Sequence, residues 1–171
     1  VSRFCRSHEL FLHLDGARIF NAAVAQDIQV RQISRYFDSV MFCLSKGLSA
    51  PVGSLLLGNR EFVREARRVR KYLGGGMRQV GILAAAGMVA LEEMPPRLAD
   101  DHRRARRLGE ALADMKGVKI NLEDVQTNFV MLELVHLPVG EFLNRLRRDK
   151  ILALPFSSRT VRMVVHKDID D

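Results

Sequence analysis

Apolar residues fall into two rhythms along the chain. The first is a set of short, unbroken apolar runs bounded by polar or glycine positions: Glu9–Leu14, Phe37–Leu44 and Gly53–Gly58. Runs of this length without alternation suit strands buried on both faces. The second rhythm has helical spacing. Phe62, Val63, Ala66, Val69 and Leu73 share one face of a helix predicted over Arg60–Leu73, with arginines and Lys71 on the other. Gly74-Gly75-Gly76 then stops that helix. A nearly all-apolar helix is expected over Arg78–Met94, largely buried, with Pro95-Pro96 ending it.

Beyond the prolines the pattern predicts a helix over Arg97–Met115 with Leu98, Ala105, Leu108, Leu112 and Met115 as its stripe. Strands follow at Val118–Asn121 and Thr127–Leu134, then a helix over Val139–Lys150 and a last strand at Thr160–His166. Helix, strand, strand, helix, strand reads as a small α+β domain with an antiparallel sheet. The domain boundary is set at the prolines, giving 1–95 and 96–171. Arg3–His8 is polar and reads as a loop or the end of a helix. A helix over Arg18–Gln26 lies between the first two strands, so these can be parallel neighbours joined by a crossover.

That topology brings chemistry together. The first run ends in Asp15-Gly16-Ala17-Arg18 and the second in Ser45-Lys46-Gly47. Ligands of open α/β sheets bind outside the carboxyl ends of the strands, so Asp15 and Lys46 would face one crevice. On its own, a lysine after a strand is more often just the point where the chain reaches solvent. Asp15 on its own could be a helix N-cap. Together, a buried acid and a lysine in low-dielectric surroundings are what a protein contributes to pyridoxal phosphate chemistry: the amine joins the aldehyde, and the carboxylate keeps the ring nitrogen protonated.

Three motifs carry a family resemblance: His-Leu-Asp-Gly-Ala-Arg-Ile-Phe-Asn-Ala from His13, Ser-Lys-Gly-Leu-Ser-Ala-Pro-Val-Gly-Ser from Ser45, and Gly-Gly-Gly-Met-Arg-Gln from Gly74. In order and spacing the chain resembles the low-specificity L-threonine aldolases, fold-type-I pyridoxal-phosphate enzymes. The resemblance implies an α/β fold: residues 1–95 as the later part of the cofactor-binding large domain, and 96–171 as the small α+β C-terminal domain without its last helix. It implies pyridoxal 5'-phosphate as cofactor, with Lys46 as the catalytic amine and Asp15 on the ring nitrogen. Arg18 would lie near the ring oxygen and the substrate carboxylate, and Arg162 would grip that carboxylate. Arg78 and Lys71 would reach the cofactor across a subunit interface of a homo-oligomer, a dimer or tetramer. The reaction implied is cleavage of threonine or allo-threonine to glycine and an aldehyde. The family's chains are about twice as long, so the part before Val1 and a shorter stretch after Asp171 are expected to be missing, and the fragment is expected to be inactive alone.

For Arg18 the physical reading agrees, because a cation beside the positive end of a helix calls for an anionic partner. For the Gly74–Arg78 loop, a phosphate-collecting helix start and a plain corner remain equal on physics alone.

The remaining features narrow the alternatives. The 171 residues are 47% hydrophobic and 27% charged, in the globular range. No apolar run reaches the roughly 20 residues of a membrane span, and no signal-type stretch opens the chain. Cys5 and Cys43 form no metal or disulfide pattern, so a reducing, cytoplasmic setting is the default. Net charge is +7, but the arginines sit on solvated helix faces and aromatics for base stacking are few, which argues against nucleic acid. Two other readings stay open: a truncated, non-catalytic homologue, and another fold-type-I enzyme such as a transaminase-like protein.

Overall fold

A computed structural model describes residues 1–171. They form two compact units, Val1–Pro96 and Arg97–Asp171. Each is described by itself.

The first unit opens with α1 (Ser2–Ser7), where the sequence suggested a loop or a helix end. Then come β1 (His13–Asp15), α2 (Ile19–Ala25), α3 (Val30–Ser34), β2 (Ser39–Cys43), β3 (Ser54–Gly58) and α4 (Arg60–Tyr72). The sheet order is β1-β2-β3. β1 runs parallel to β2 with Asp15 opposite Met41, and β2 runs antiparallel to β3. Alternation along β2 sends Val40 and Phe42 to one face. Both are buried, and the Phe42 ring meets Phe20 of α2 edge-on at 5.3 Å. Ile19 and Ala23 of α2 are buried as well. The opposite face carries His13, Asp15, Ser39, Met41 and Cys43.

β1 is shorter than the predicted Glu9–Leu14 strand and lies later in the chain. Leu10 and Phe11 are exposed and Glu9 turns at φ 54°. Pairing starts at Leu12, whose amide donates to the Asp38 carboxylate at 2.8 Å. α3 was not foreseen; its Gln29 and Gln32 form a reciprocal capping box.

β3 runs as predicted, but all five of its residues are exposed. Leu55 and Leu57 point to one face and Leu56 to the other, each 40–46% exposed. Within the unit β2 is its only strand neighbour. α4 is likewise strongly amphipathic yet buries no residue.

The largest departure is α5, a single helix from Gly81 to Ala113 with Pro95 and Pro96 inside it. Prolines remove two amide donors and should kink or break a helix. Here helix formers on both sides, Ala90 to Met94 and Arg97 to Ala99, carry it through. The start of α5 is also not the buried helix expected. Ile82 is 84% exposed, and Met88 and Val89 are exposed too. Only Gly87 and Ala90 are buried before the prolines, and Gly87 faces the Leu44 side chain. No layer of the unit covers the other faces.

In the second unit, the later part of α5 is followed by β4 (Val118–Lys119), a 3₁₀ turn (Leu122–Asp124), β5 (Phe129–Leu134), α6 (Val139–Arg148), β6 (Leu154–Pro155) and β7 (Thr160–Val164). The sheet is antiparallel in the order β4-β5-β7-β6. The expected antiparallel α+β arrangement is present, with β6 and the 3₁₀ turn as additions. Val130, Leu132 and Val161 are fully buried. Val130 packs with Ala105, Val125 and Val165 in one cluster, and Leu132 and Val161 pack with Leu134, Val139, Phe142 and Leu143 in another. Asp101 is also fully buried, and Arg97 answers it with two hydrogen bonds.

Candidate active site

β1 delivers Asp15 as its last residue, and the chain is pinned there. The Gly16 amide donates to the Met41 carbonyl at 2.8 Å, and the Cys43 amide donates to the Ala17 carbonyl at 3.4 Å. A Cβ on Gly16 would lie 2.9 Å from that same Met41 oxygen, so only glycine fits this approach. Asp15 Oδ1 accepts from the Ala17 amide at 3.2 Å. The carboxylate therefore closes its own turn rather than capping α2, whose N-cap position is Arg18.

Lys46 follows β2 by three residues. Its loop folds back on itself: the Leu44 amide donates to the Gly53 carbonyl at 2.9 Å and the Ala50 amide to the Leu44 carbonyl at 3.0 Å. Leu48 and Ala50 anchor the loop in the core, Ser49 adopts φ 58° and Gly53 φ 114°. Lys46 stands exposed, and its carbonyl accepts from the Ser49 amide at 2.9 Å.

Because β1 and β2 are parallel neighbours, Asp15 and Lys46 both leave the carboxyl ends of adjacent strands. Arg18 joins them three residues after Asp15. The structure departs from expectation in their surroundings. Asp15 is exposed where a buried carboxylate was expected, and Lys46 is exposed where a low-dielectric setting was expected. In this chain no element roofs the ends of β1 and β2, so both side chains meet water.

The other residues singled out in the sequence lie elsewhere. Lys71 lies in the last turn of α4, and its side chain runs along the glycine loop, so that a Cβ on Gly76 would sit 3.1 Å from its Cδ. Arg78 is exposed in the connection before α5 rather than at a helix start, because α5 begins at Gly81. Arg162 sits on β7 opposite Met131, its guanidinium 5.5 Å above the Phe129 ring, and its Nε is buried without a hydrogen-bond partner.

Sequence reasoning missed Gly16 as a residue fixing the two strand ends. It also missed Ser39, buried on β2, whose hydroxyl lies 2.8 Å from His13 Nδ1. Glycine directly after a strand-ending acid was the readable signal for the first. Nothing in the sequence marked the second.

Comparison with known proteins places this geometry. A low-specificity L-threonine aldolase of Arabidopsis thaliana is 42% identical over 172 residues, covering 99% of this chain and 48% of the relative. The low specificity L-threonine aldolase of Escherichia coli strain K12 is 46% identical over 167 residues, covering 97% of this chain and 48% of the relative. The chain thus spans about half the length of the curated relatives it matches. A crystal structure described as a putative L-allo-threonine aldolase from Listeria monocytogenes shares the fold. Its TM-score is 0.80 at 23% identity, over 96% of this chain and 48% of that one. The α/β fold is therefore that of the fold-type-I enzymes over this portion. The family profile for beta-eliminating lyases matches residues 1–134. With an acid and an amine leaving adjacent parallel strands on that fold, the chain belongs to the beta-eliminating lyase family.

Proposed function

We propose that this chain is part of a pyridoxal-phosphate-dependent aldehyde-lyase that cleaves L-threonine or L-allo-threonine to glycine and an aldehyde. The observation that carries the reading is the shared end of Asp15 and Lys46 on adjacent parallel strands. Residues 1–95 are the later part of the cofactor-binding domain and 96–171 the small C-terminal domain. The intact enzyme is a cytoplasmic homo-oligomer, a dimer or tetramer.

The donor set fits the cofactor. Lys46 offers a primary amine to its aldehyde, and Asp15 offers a carboxylate to its ring nitrogen. Bound there, pyridoxal phosphate supplies a sink for the electron pair of the breaking carbon–carbon bond. Asp15 holds the proton on the ring nitrogen. Arg18 and Arg162 bind the amino acid's carboxylate; the unpartnered Nε of Arg162 is a donor in need of such an acceptor. Fixing that carboxylate decides which bond at the α-carbon is aligned to break. Lys71 and Arg78 bring positive charge to the cofactor of a neighbouring subunit.

The test is to add pyridoxal phosphate to the chain, reduce with borohydride and map the modified peptide. The adduct is expected at Lys46, is lost in Lys46→Arg, and is reduced in yield in Asp15→Asn. Modification spread evenly over exposed lysines would overturn the reading. The exposure of both Asp15 and Lys46 favours a second reading, in which the chain alone carries the amine but does not turn over. An adduct at Lys46 without threonine cleavage identifies that case.

A further inference from the structure

The core of the second unit lies on one face of its sheet, where Val130, Leu132 and Val161 are fully buried. Alternation puts Phe129, Met131 and Glu133 of β5 and Thr160, Arg162 and Val164 of β7 on the other face. There the register sets the neighbours of Arg162. Met131 stands directly opposite on β5 and Leu154 directly opposite on β6, so the stem of the arginine runs between apolar residues.

Phe129 and Glu133 are the two diagonal neighbours of Arg162 on β5, a spacing that an aromatic ring or a long side chain bridges. The guanidinium takes the ring. Its central carbon lies 5.5 Å from the Phe129 centroid, and it makes no ion pair with Glu133. Glu133 is exposed, so a pair there gains little and costs side-chain freedom. The ring attracts the cation through its electron-rich face and uses up no hydrogen-bond donor. The buried Nε accordingly has no partner. A carboxylate brought to it relieves that cost, because its two oxygens match the guanidinium fork.

We infer that Phe129 is a positioning residue for the carboxylate site: it holds the Arg162 guanidinium away from Glu133 and keeps its charge and donors open to the α-carboxylate of the amino acid. This rests on the reading of Arg162 given above, and Phe129 acts through that arginine. Without the ring, the arginine divides its time between Glu133 and the open position. Only the open fraction receives substrate, so apparent affinity falls by that fraction. Once the carboxylate is bound the geometry is the original one. The loss therefore falls on KM and not on kcat.

The first readout is the Arg162 Nε–H signal in NMR spectra of the 171-residue chain. The Phe129 ring should shift it; Phe129→Leu should remove that shift and make the signal sensitive to a further Glu133→Gln change. The second readout is threonine cleavage by the intact enzyme with pyridoxal phosphate bound. Phe129→Leu should raise KM about three- to tenfold, the size of a cation–π contact, with kcat within about twofold. Phe129→Tyr keeps the ring and should keep KM. Adding Glu133→Gln to Phe129→Leu should return KM to within about twofold of the original, because the competing acid is gone. A merely structural defect would not be mended this way. An unchanged Nε–H signal in Phe129→Leu, a KM rise that Glu133→Gln does not relieve, or a fall in kcat alone would each overturn the inference. An unchanged KM in Arg162→Gln overturns the reading of Arg162 together with the inference, whereas an effect there without one in Phe129→Leu overturns the inference alone. If Phe129→Leu loses structure by circular dichroism, Phe129→Met carries the same comparison.

Discussion

The sharpest test of how β1 and β2 hold the site is Gly16→Ala. The added Cβ would stand 2.9 Å from the Met41 carbonyl oxygen, against an ordinary contact starting at 3.4 Å, and 3.3 Å from the Ile19 Cβ. Neither neighbour is the tip of a flexible side chain, so the backbone of β1 must move off β2 by about 0.5 Å. Overpacking of this kind costs about 1–3 kcal/mol. Alanine restricts the unfolded chain and returns about 0.4–1 kcal/mol. The balance is a loss of about 1–2 kcal/mol, concentrated where the Gly16 amide donates to Met41. Hydrogen exchange at position 16 and along β2 should show faster opening by roughly 5- to 30-fold. The control is Gly87→Ala, where the new Cβ meets only the Leu44 Cδ1 at 3.2 Å, a side-chain tip that can move. In mid-helix that change should stabilise by about 0.5–1 kcal/mol. If Gly16→Ala leaves exchange at β2 unchanged, or if both substitutions shift stability in the same direction, the account of this junction is wrong.

Other outcomes follow from the second unit. Leu132 is fully buried among Leu134, Val139, Val161 and Phe142. Leu132→Ala should therefore cost about 3–4 kcal/mol in urea denaturation, and a loss under about 1 kcal/mol would show that the core closes over the gap. The His102 pKa is lowered by burial, partly opposed by Asp101. The unfolded chain then takes up this proton more readily than the folded one, so stability drops as pH falls through the ordinary value of 6.5 toward the lower folded value. His102→Gln should reduce the difference in urea midpoint between about pH 7.5 and about pH 5.5, and an unchanged difference would assign the pH dependence to other groups.

Much of this fold could be read from the chain, and the limits have physical causes. β2, β3 and α4 were legible because Val40–Leu44 is continuously apolar, Gly53 and Gly58 bracket the leucines, and the α4 stripe repeats with helical period. The continuity of α5 through Pro95-Pro96 was not, because proline's local penalty was weighed without the strong helix formers on either side. Burial was the least legible property. Ile82, Met88 and Val89 carry the composition of an interior, but composition reports what a surface could pack against rather than what this chain supplies. At the candidate site, the order Asp15, Arg18, Lys46 and the parallel pairing were accessible from strand ends and connection length. The close approach at Gly16 and the His13–Ser39 hydrogen bond depend on strand register, which a single sequence does not display.

The three leucines of β3 have a practical corollary. A strip that is greasy above and below, with a free row of backbone donors and acceptors along its rim, invites whatever extended peptide is at hand. Prepared by itself, the polypeptide should clump as its concentration rises, and its surplus of seven positive charges sets the salt level at which clumping begins. Replacing Leu56 with lysine would be the simplest means of keeping it dispersed without touching the end of the sheet that carries Asp15 and Lys46.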